Sequence, residues 1–384
     1  MIHHVFNSSL VSGPETLVLP NLQGFSTPCT IVLLQETRLP EGSAKVADYA
    51  KSLDFGVHEI LVRSRFDFRA IGELADYWKK TRPALVHAHG PKASLHVLLA
   101  YLKLDKKSRP ILVTTHHGVR ANDQSLKLRL FEKVYEKLTM PFFDRTLTVC
   151  SSDRELLVKR GLTRDKTDVH LNGVDRKLVE PGERAGFQKK VRNAWFGEDL
   201  KTSPFLIGVV GRLAVEKQYS RILEAVALFK KQKPEKPIRL LCFGSGPLEK
   251  ELKLLSETLG LAEQVTWMGY RNDIASEMAG LDLLLSLSNA EGLPINLIEA
   301  GWAGTPVLAQ GVDGILDLIE DRKSGLLLQP PATHQEVVDG LVWFIENPDE
   351  AQTLGWNLQS RVQEKFSRHA WLAKIRAVYA DFLQ

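Results

Sequence analysis

Glu291 and Glu299 stand with seven residues between them in the stretch SNAEGLPINLIEAGWAGTPVLA, residues 288–309. Their type and spacing could do chemistry. A polar loop, Ser288 to Ala290, runs into the first glutamate, and Gly292 and Pro294 shape a tight turn after it. Pro294 suits the first turn of a helix, where its missing N–H costs nothing. A helix over 294–303 would carry Glu299 a turn or more inside it. The free N–H groups at its start would favour a phosphate. Two carboxylates so placed can reach opposite ends of one elongated ligand.

A second charged segment lies upstream, FLIGVVGRLAVEKQYSRILEAVALF at residues 205–229. Residues 205–210 are an apolar run of strand length. Gly211 turns the chain, and Arg212 and Lys217 flank the loop before a helix that starts near Tyr219. A diphosphate needs its charge neutralised; a guanidinium offers a planar fork and an ammonium a point charge. Taken alone, two solvated cations behind a strand would read the same way, because Lys and Arg are common on surfaces. The glutamate pair gives them a joint ligand.

Together these segments resemble the retaining nucleotide-sugar glycosyltransferases of GT-B fold, family 4 (glycosyl transferases group 1). The Glu-x7-Glu pattern and the Gly-Arg-Leu…Glu-Lys loop carry the resemblance. It implies an α/β architecture of two doubly wound parallel-sheet (Rossmann-like) domains facing across a cleft. It also implies roles. Glu291 and His117 would be catalytic, Glu291 on the transferred sugar and His117 near it. Glu299 would hold the ribose, and Arg212 and Lys217 the diphosphate. Gly292, Leu293, Pro294 and Ile295 would complete the turn at the donor. The family usually has Gly after the lysine; this chain has Gln218.

Further loops fit the same picture, each with a plainer alternative. In FGSGPLEKEL (243–252), Gly244 and Gly246 would let a backbone approach a ligand. Glu249 replaces the third glycine of a GxGxxG fingerprint, so a donor-side Gly-x-Gly-Pro loop is preferred to a dinucleotide site; a simple strand-to-helix turn remains open. In MGYRNDI (268–274), Tyr270 and Arg271 could stack on a nucleobase or form a surface turn. VHAHGPKAS (86–94) and VTTHHGVR (113–120) put histidines after strands of the first domain. His89, Lys92 and His116 are assigned to the acceptor side, and which of His116 and His117 faces inward is open. A zinc reading of His87, His89, His116 and His117 lacks a completing Cys or carboxylate at a known spacing. In SLVSGPETLVLPNL (9–22), Gly13 could offer its N–H to the diphosphate, although Ser12 stands where the family has another glycine. LNGVDRKL (171–178) reads as a structural entry to the hinge.

These loops need strands and helices to position them. Strand-like runs are expected at 30–34, 59–62, 84–87, 111–115 and 145–150, then at 205–210, 239–243, 265–268, 281–287 and 306–309. Helical patterns lie between them, among them 70–80, 93–104, 220–231 and 247–259. Alternating strand and helix predicts parallel sheets covered on both faces. The pattern pauses over the charged stretch 176–204, which places the boundary near Pro181. An acceptor domain over 1–180 and a donor domain over 181–365 are expected, with the last helix, in 366–384, packing back on the first.

The 384 residues suffice for two domains. With 44% hydrophobic and 25% charged residues the composition is globular, and a net charge of +4 is too small to argue for nucleic acid. Cys29, Cys150 and Cys242 show no CxxC spacing, which argues for a reducing compartment and against a metal cluster. No signal peptide or membrane-spanning run is read, so a cytoplasmic protein is expected. Arg129, Lys133 and Lys137 form a basic stripe on an amphipathic pattern over 125–138. A solvated face is the preferred reading, and weak peripheral contact with an anionic membrane the sharper one.

The expected activity is transfer of a sugar from a nucleoside diphosphate to a hydroxyl of a saccharide, a lipid-linked glycan or a small metabolite. No metal and no resident cofactor are expected. The chain has no Asp-x-Asp, so Arg212, Lys217 and the helix start would stabilise the leaving phosphate. A nucleotide-sugar epimerase of similar fold, and a non-catalytic binding protein, are the alternatives.

Overall fold

The structure is a computed structural model that describes residues 1–7, 13–36, 40–64, 67–118, 135, 137–196, 204–271 and 274–383. The chain forms two compact units, Met1–Gly173 with Arg368–Gln384, and Val174–Ser367. The packing therefore changes unit at 173/174 rather than at the expected 180/181.

Unit 1 is a seven-stranded sheet of β1 Ile2–Phe6, β2 Cys29–Glu36, β3 Gly56–Val62, β4 Leu85–His89, β5 Ile111–His116, β6 Arg145–Thr148 and β7 Thr167–Val169. The order is β3-β2-β1-β4-β5-β6-β7, with every pair parallel. All five residues of β1 are buried. This strand was not foreseen because His3 and His4 interrupt what would otherwise be an apolar run. The register puts His4 beside His87, and Phe6 beside His89. The helix Phe68–Thr81 buries Ile71, Leu74 and Trp78 in the sheet's core, and Asp67 caps its start by accepting from the Arg69 and Ala70 N–H groups.

Unit 2 is a six-stranded parallel sheet of β8 Phe205–Val210, β9 Ile238–Phe243, β10 Val265–Gly269, β11 Leu283–Ser286, β12 Val307–Gln310 and β13 Leu326–Leu328, in the order β10-β9-β8-β11-β12-β13. Its core joins Leu240, Leu285 and Ile207 of the sheet to Ile222, Phe229, Leu341 and Phe344 of the helices. In both sheets the chain reverses its winding once, between β1 and β4 and between β8 and β11. Open α/β sheets bind ligands at the carboxyl ends of strands flanking such a reversal.

The charged stretch read as a pause is a helix, Pro181–Phe196. Its polar pattern hid a buried cation. Arg184 is 3% exposed. Its guanidinium donates to the carbonyls of Ala279 (3.1 Å) and Leu281 (2.6 Å), to Thr305 Oγ1 (3.2 Å) and to Gln352 Oε1 (2.6 Å). Burial lowers this guanidinium to about 10, with Asp282 opposing the shift. The last helix, Arg368–Ala380, belongs to unit 1, where Tyr379 Oη lies 2.6 Å from His87 Nδ1. Arg129 and Lys133 of the basic stripe lie outside the described residues. Among the described residues no helix is long and apolar enough to cross a membrane.

Arg184→Leu should cost about 3–5 kcal/mol, because the carbonyls of Ala279 and Leu281 would be buried without donors. Urea denaturation measures this, and Arg184→Lys should recover less than half. A loss below about 1 kcal/mol would show that the carbonyls find other partners.

Candidate functional site

The donor-side residues expected in unit 2 follow four adjacent strands. Gly211, Arg212 and Lys217 follow β8, Gly244 follows β9, Tyr270 and Arg271 follow β10, and the glutamate segment follows β11. Arg212 is exposed, and its guanidinium has no ion pair among the described residues. Lys217 closes a 3-10 turn, Val215–Lys217, and its ammonium pairs with the Glu291 carboxylate. Their side chains are 19% and 12% exposed, so the pair is largely withdrawn from water. Gln218 takes the left-handed conformation, φ 54° and ψ 36°, and its side-chain amide donates through Nε2 to the Val215 carbonyl at 2.8 Å. The loop thus keeps a course suited to glycine, at a cost of about 1–2 kcal/mol for a residue with a Cβ.

The glutamate segment is tied to this loop at several points. The Asn289 N–H donates to the Glu216 carbonyl (3.0 Å), and Asn296 Nδ2 donates to the Val210 carbonyl at the end of β8 (2.6 Å). Tyr219 Oη donates to the Gly211 carbonyl at 3.0 Å. The helix runs Ile295–Trp302, with Pro294 as its cap residue rather than its first-turn residue. Gly292 lies in the turn, Leu293 is buried beneath it, and Ile295 opens the helix. Glu299, within the helix, accepts from Arg176 at 2.8 Å (Nε) and 2.5 Å (Nη2) on Oε1. Both glutamates therefore face a cation of their own unit.

Three residues at this site were not assigned to it from sequence. Arg176 was read as part of the hinge. Asn296 was read as an ordinary helical residue. Asp313 sits in the left-handed region at φ 42° and accepts from the Glu291 N–H at 3.1 Å. Burial raises the Asp313 carboxyl above its ordinary range; the Glu291 N–H opposes this and the Glu291 charge adds to it. The signal for Asp313 was its place between Gly311 and Gly314, a loop needing unusual backbone angles.

Gly244 and Gly246 meet protein backbone closely. A Cβ on Gly244, at φ 135°, would lie 1.9 Å from the Gly211 carbonyl oxygen, and one on Gly246 2.4 Å from the Leu213 carbonyl oxygen. Their small size is required to lock the β9 loop on the β8 loop. Tyr270 is 72% exposed and Arg271 is exposed beside it.

In unit 1, Gly13 opens the helix Gly13–Leu22. Lys92, in the first turn of Pro91–Leu102, pairs at 2.6 Å with Glu36 at the end of β2. The histidines converge. His117 Nε2 lies 3.3 Å from His89 Nδ1, and His89 Nε2 lies 3.1 Å from His4 Nδ1. His116 is buried on the other side of the chain, with Nε2 3.5 Å from Tyr135 Oη. His117, partly exposed, is therefore the one that joins the His89 group. His4, His87 and His89 place ring nitrogens within 4.8 Å of one another, so the close cluster includes His4 and leaves out both His116 and His117.

Comparisons with known proteins bear on the family and the fold. Residues 35–178 match the family model Glycosyltransferase Family 4, and residues 191–361 match Glycosyl transferases group 1. The UDP-Gal:alpha-D-GlcNAc-diphosphoundecaprenol alpha-1,3-galactosyltransferase of Escherichia coli is 25% identical over 83% of this chain and 80% of its own length. EpsD of Bacillus subtilis (strain 168) is 25% identical over 64% of this chain and 63% of its own, so the match spans less than two thirds of that relative. Among solved structures, HepE of Anabaena in complex with UDP superposes at a TM-score of 0.82, with 19% identity over 99% of each chain. The chain is a family 4-like glycosyltransferase of GT-B fold.

Burial holds several histidines of unit 1 neutral. It lowers His4 and His117 to about 3, and His3, His116 and His170 to about 4. Above pH about 6.5 the folded and unfolded chains both carry neutral imidazoles, and these groups cost nothing. Below it the unfolded chain takes protons first, so stability falls by up to about 1.4 kcal/mol per pH unit for each histidine. The urea midpoint should be flat from pH 8 to 7 and drop steeply between 6.5 and 5, before most carboxylates titrate. An unchanged midpoint at pH 5 would mean that these imidazoles ionise in place.

Proposed function

We propose that the protein is a metal-independent retaining transferase that moves a sugar from a uridine diphosphate sugar to a hydroxyl of a saccharide or lipid-linked saccharide. The observation that carries this reading is the arrangement after β8 and β11. An uncommitted Arg212 and a Lys217–Glu291 pair lie on loops bound to one another beside the start of the helix Ile295–Trp302, and Glu299 within that helix pairs with Arg176. A diphosphate fits Arg212, Lys217 and the helix start. The uridine base and the lipid-linked acceptor are supported by the names of similar proteins. HepE was solved with UDP and with UDP-glucose, and the Escherichia coli relative is named for a diphosphoundecaprenol acceptor.

In this reading the acceptor oxygen attacks the anomeric carbon on the face from which the phosphate departs. The anomeric C–O bond to phosphate breaks, and the acceptor's proton passes to the departing phosphate oxygen. Arg212 and Lys217 stabilise the charge that grows on that phosphate. Glu291, once Lys217 turns to the phosphate, faces the sugar and the positive charge at its anomeric centre. Glu299 holds the ribose, and Tyr270 stacks on the base.

Calorimetry with UDP in excess chelator tests the reading. Arg212→Ala should weaken binding by about 2–4 kcal/mol, the scale of a lost charge-assisted contact. Glu299→Ala should weaken the whole nucleotide. Glu291→Ala should leave UDP affinity unchanged or higher, since Lys217 is released, while turnover collapses. A strict divalent-ion requirement, or equal loss of UDP affinity in both glutamate variants, would contradict the assignment. Release of a free epimerised sugar without transfer would favour the epimerase.

A further inference from the structure

Three imidazoles in unit 1 are wired in series. His4 on β1 is fully buried, His89 at the end of β4 is 7% exposed, and His117 after β5 is partly exposed. The hydrogen bonds run from His4 Nδ1 to His89 Nε2 (3.1 Å), and from His89 Nδ1 to His117 Nε2 (3.3 Å). The Phe6 ring stacks on His89 at 4.2 Å and 7°, and the His87 ring stacks on it at 4.4 Å, so the middle ring is held in plane. A neutral imidazole has one N–H and one lone pair. His89 uses both nitrogens in this chain, so it must donate through one and accept through the other.

The consequence is a shared state. If His89 carries its proton on Nδ1, it donates to His117 Nε2, and His117 must carry its own proton on Nδ1. His4 then donates from Nδ1. If His89 carries its proton on Nε2, it donates to His4 Nδ1 and accepts from His117 Nε2–H, and all three carry the proton on Nε2. Mixed patterns place two protons, or two lone pairs, in one buried bond.

The cluster also has the spacing of a metal site, but its wiring speaks for hydrogen bonds. His87 already has both nitrogens bonded, Nδ1 to Tyr379 Oη at 2.6 Å and Nε2 to Thr115 Oγ1 at 2.7 Å. The remaining unpartnered nitrogen of the three is His4 Nε2.

We infer that His4 and His89 are positioning residues that tie His117 to their own shared tautomer, so that the Nδ1 of His117, which is outside the series, keeps a single hydrogen-bonding role toward an acceptor held by unit 1. The lock itself is a property of unit 1; its use in transfer rests on the proposed function.

Two-bond proton–nitrogen correlation spectra of the full chain labelled with 15N-histidine, at pH 7.5, read each tautomer directly. His4, His89 and His117 should be neutral and share one tautomer. In His4→Phe, which keeps the ring and removes the partner, the His117 signals should move to the average of two exchanging tautomers. Opposite tautomers on His89 and His117 in the unaltered protein would overturn the inference, and so would an unchanged His117 in folded His4→Phe. If that variant does not fold, the pattern in the unaltered protein decides. With a working donor and acceptor, His4→Phe should lower kcat about tenfold and leave the donor KM within twofold. A shared tautomer together with full activity in His117→Ala would leave the lock standing and remove its catalytic use.

Discussion

The Lys217–Glu291 ion pair is the interaction on which the proposed chemistry of unit 2 depends. Two opposite charges largely out of water stabilise a fold only modestly, because desolvation offsets most of their attraction. Their value lies in what they hold ready. A cation kept against a carboxylate can be handed to a phosphate, and the carboxylate so released gains a new partner of positive character. In the proposed reading the surrounding structure holds both partners in place for this exchange. Asn296 joins the helix start to the end of β8, Asn289 joins the glutamate loop to the 3-10 turn, and Asp313 holds the Glu291 backbone. Gly244 and Gly246 let the β9 loop close over the β8 loop without displacing it. Arg176 and Glu299 repeat the arrangement one helical turn or more away.

Unit 1 handles polarity in the opposite way. It buries neutral imidazoles, and their order comes from hydrogen bonds and stacking. The central strand carries His3 and His4 where such a sheet ordinarily carries Val or Ile. That substitution costs apolar packing, and its return is a polar chain that reaches from the middle of the sheet to the partly exposed His117.

Much of this was legible in the sequence because strand runs of β8 and the glutamate helix are strongly patterned. The expected 205–210 strand is the observed one, and the 220–231 helix differs from Tyr219–Gln232 by a residue at each end. The failures share a cause. The β1 strand, the Pro181–Phe196 helix and the roles of Arg176 and Asp313 all depend on polar residues whose partners lie far along the chain. His4 looks like a surface residue until His89 is beside it, and Arg184 looks like a solvated cation until the Ala279 and Leu281 carbonyls surround it. The glycines of the β9 loop were read toward a ligand, whereas their near neighbour is the Gly211–Leu213 backbone.

A crystal structure of the full chain with a uridine diphosphate sugar, grown in excess chelator, tests the central claim most directly. The account predicts the diphosphate against Arg212 and the first turn of Ile295–Trp302, with Lys217 turned from Glu291 to a phosphate oxygen and the ribose on Glu299. A nucleotide bound with the Lys217–Glu291 pair intact, or seated in unit 1 beside His89, would contradict it.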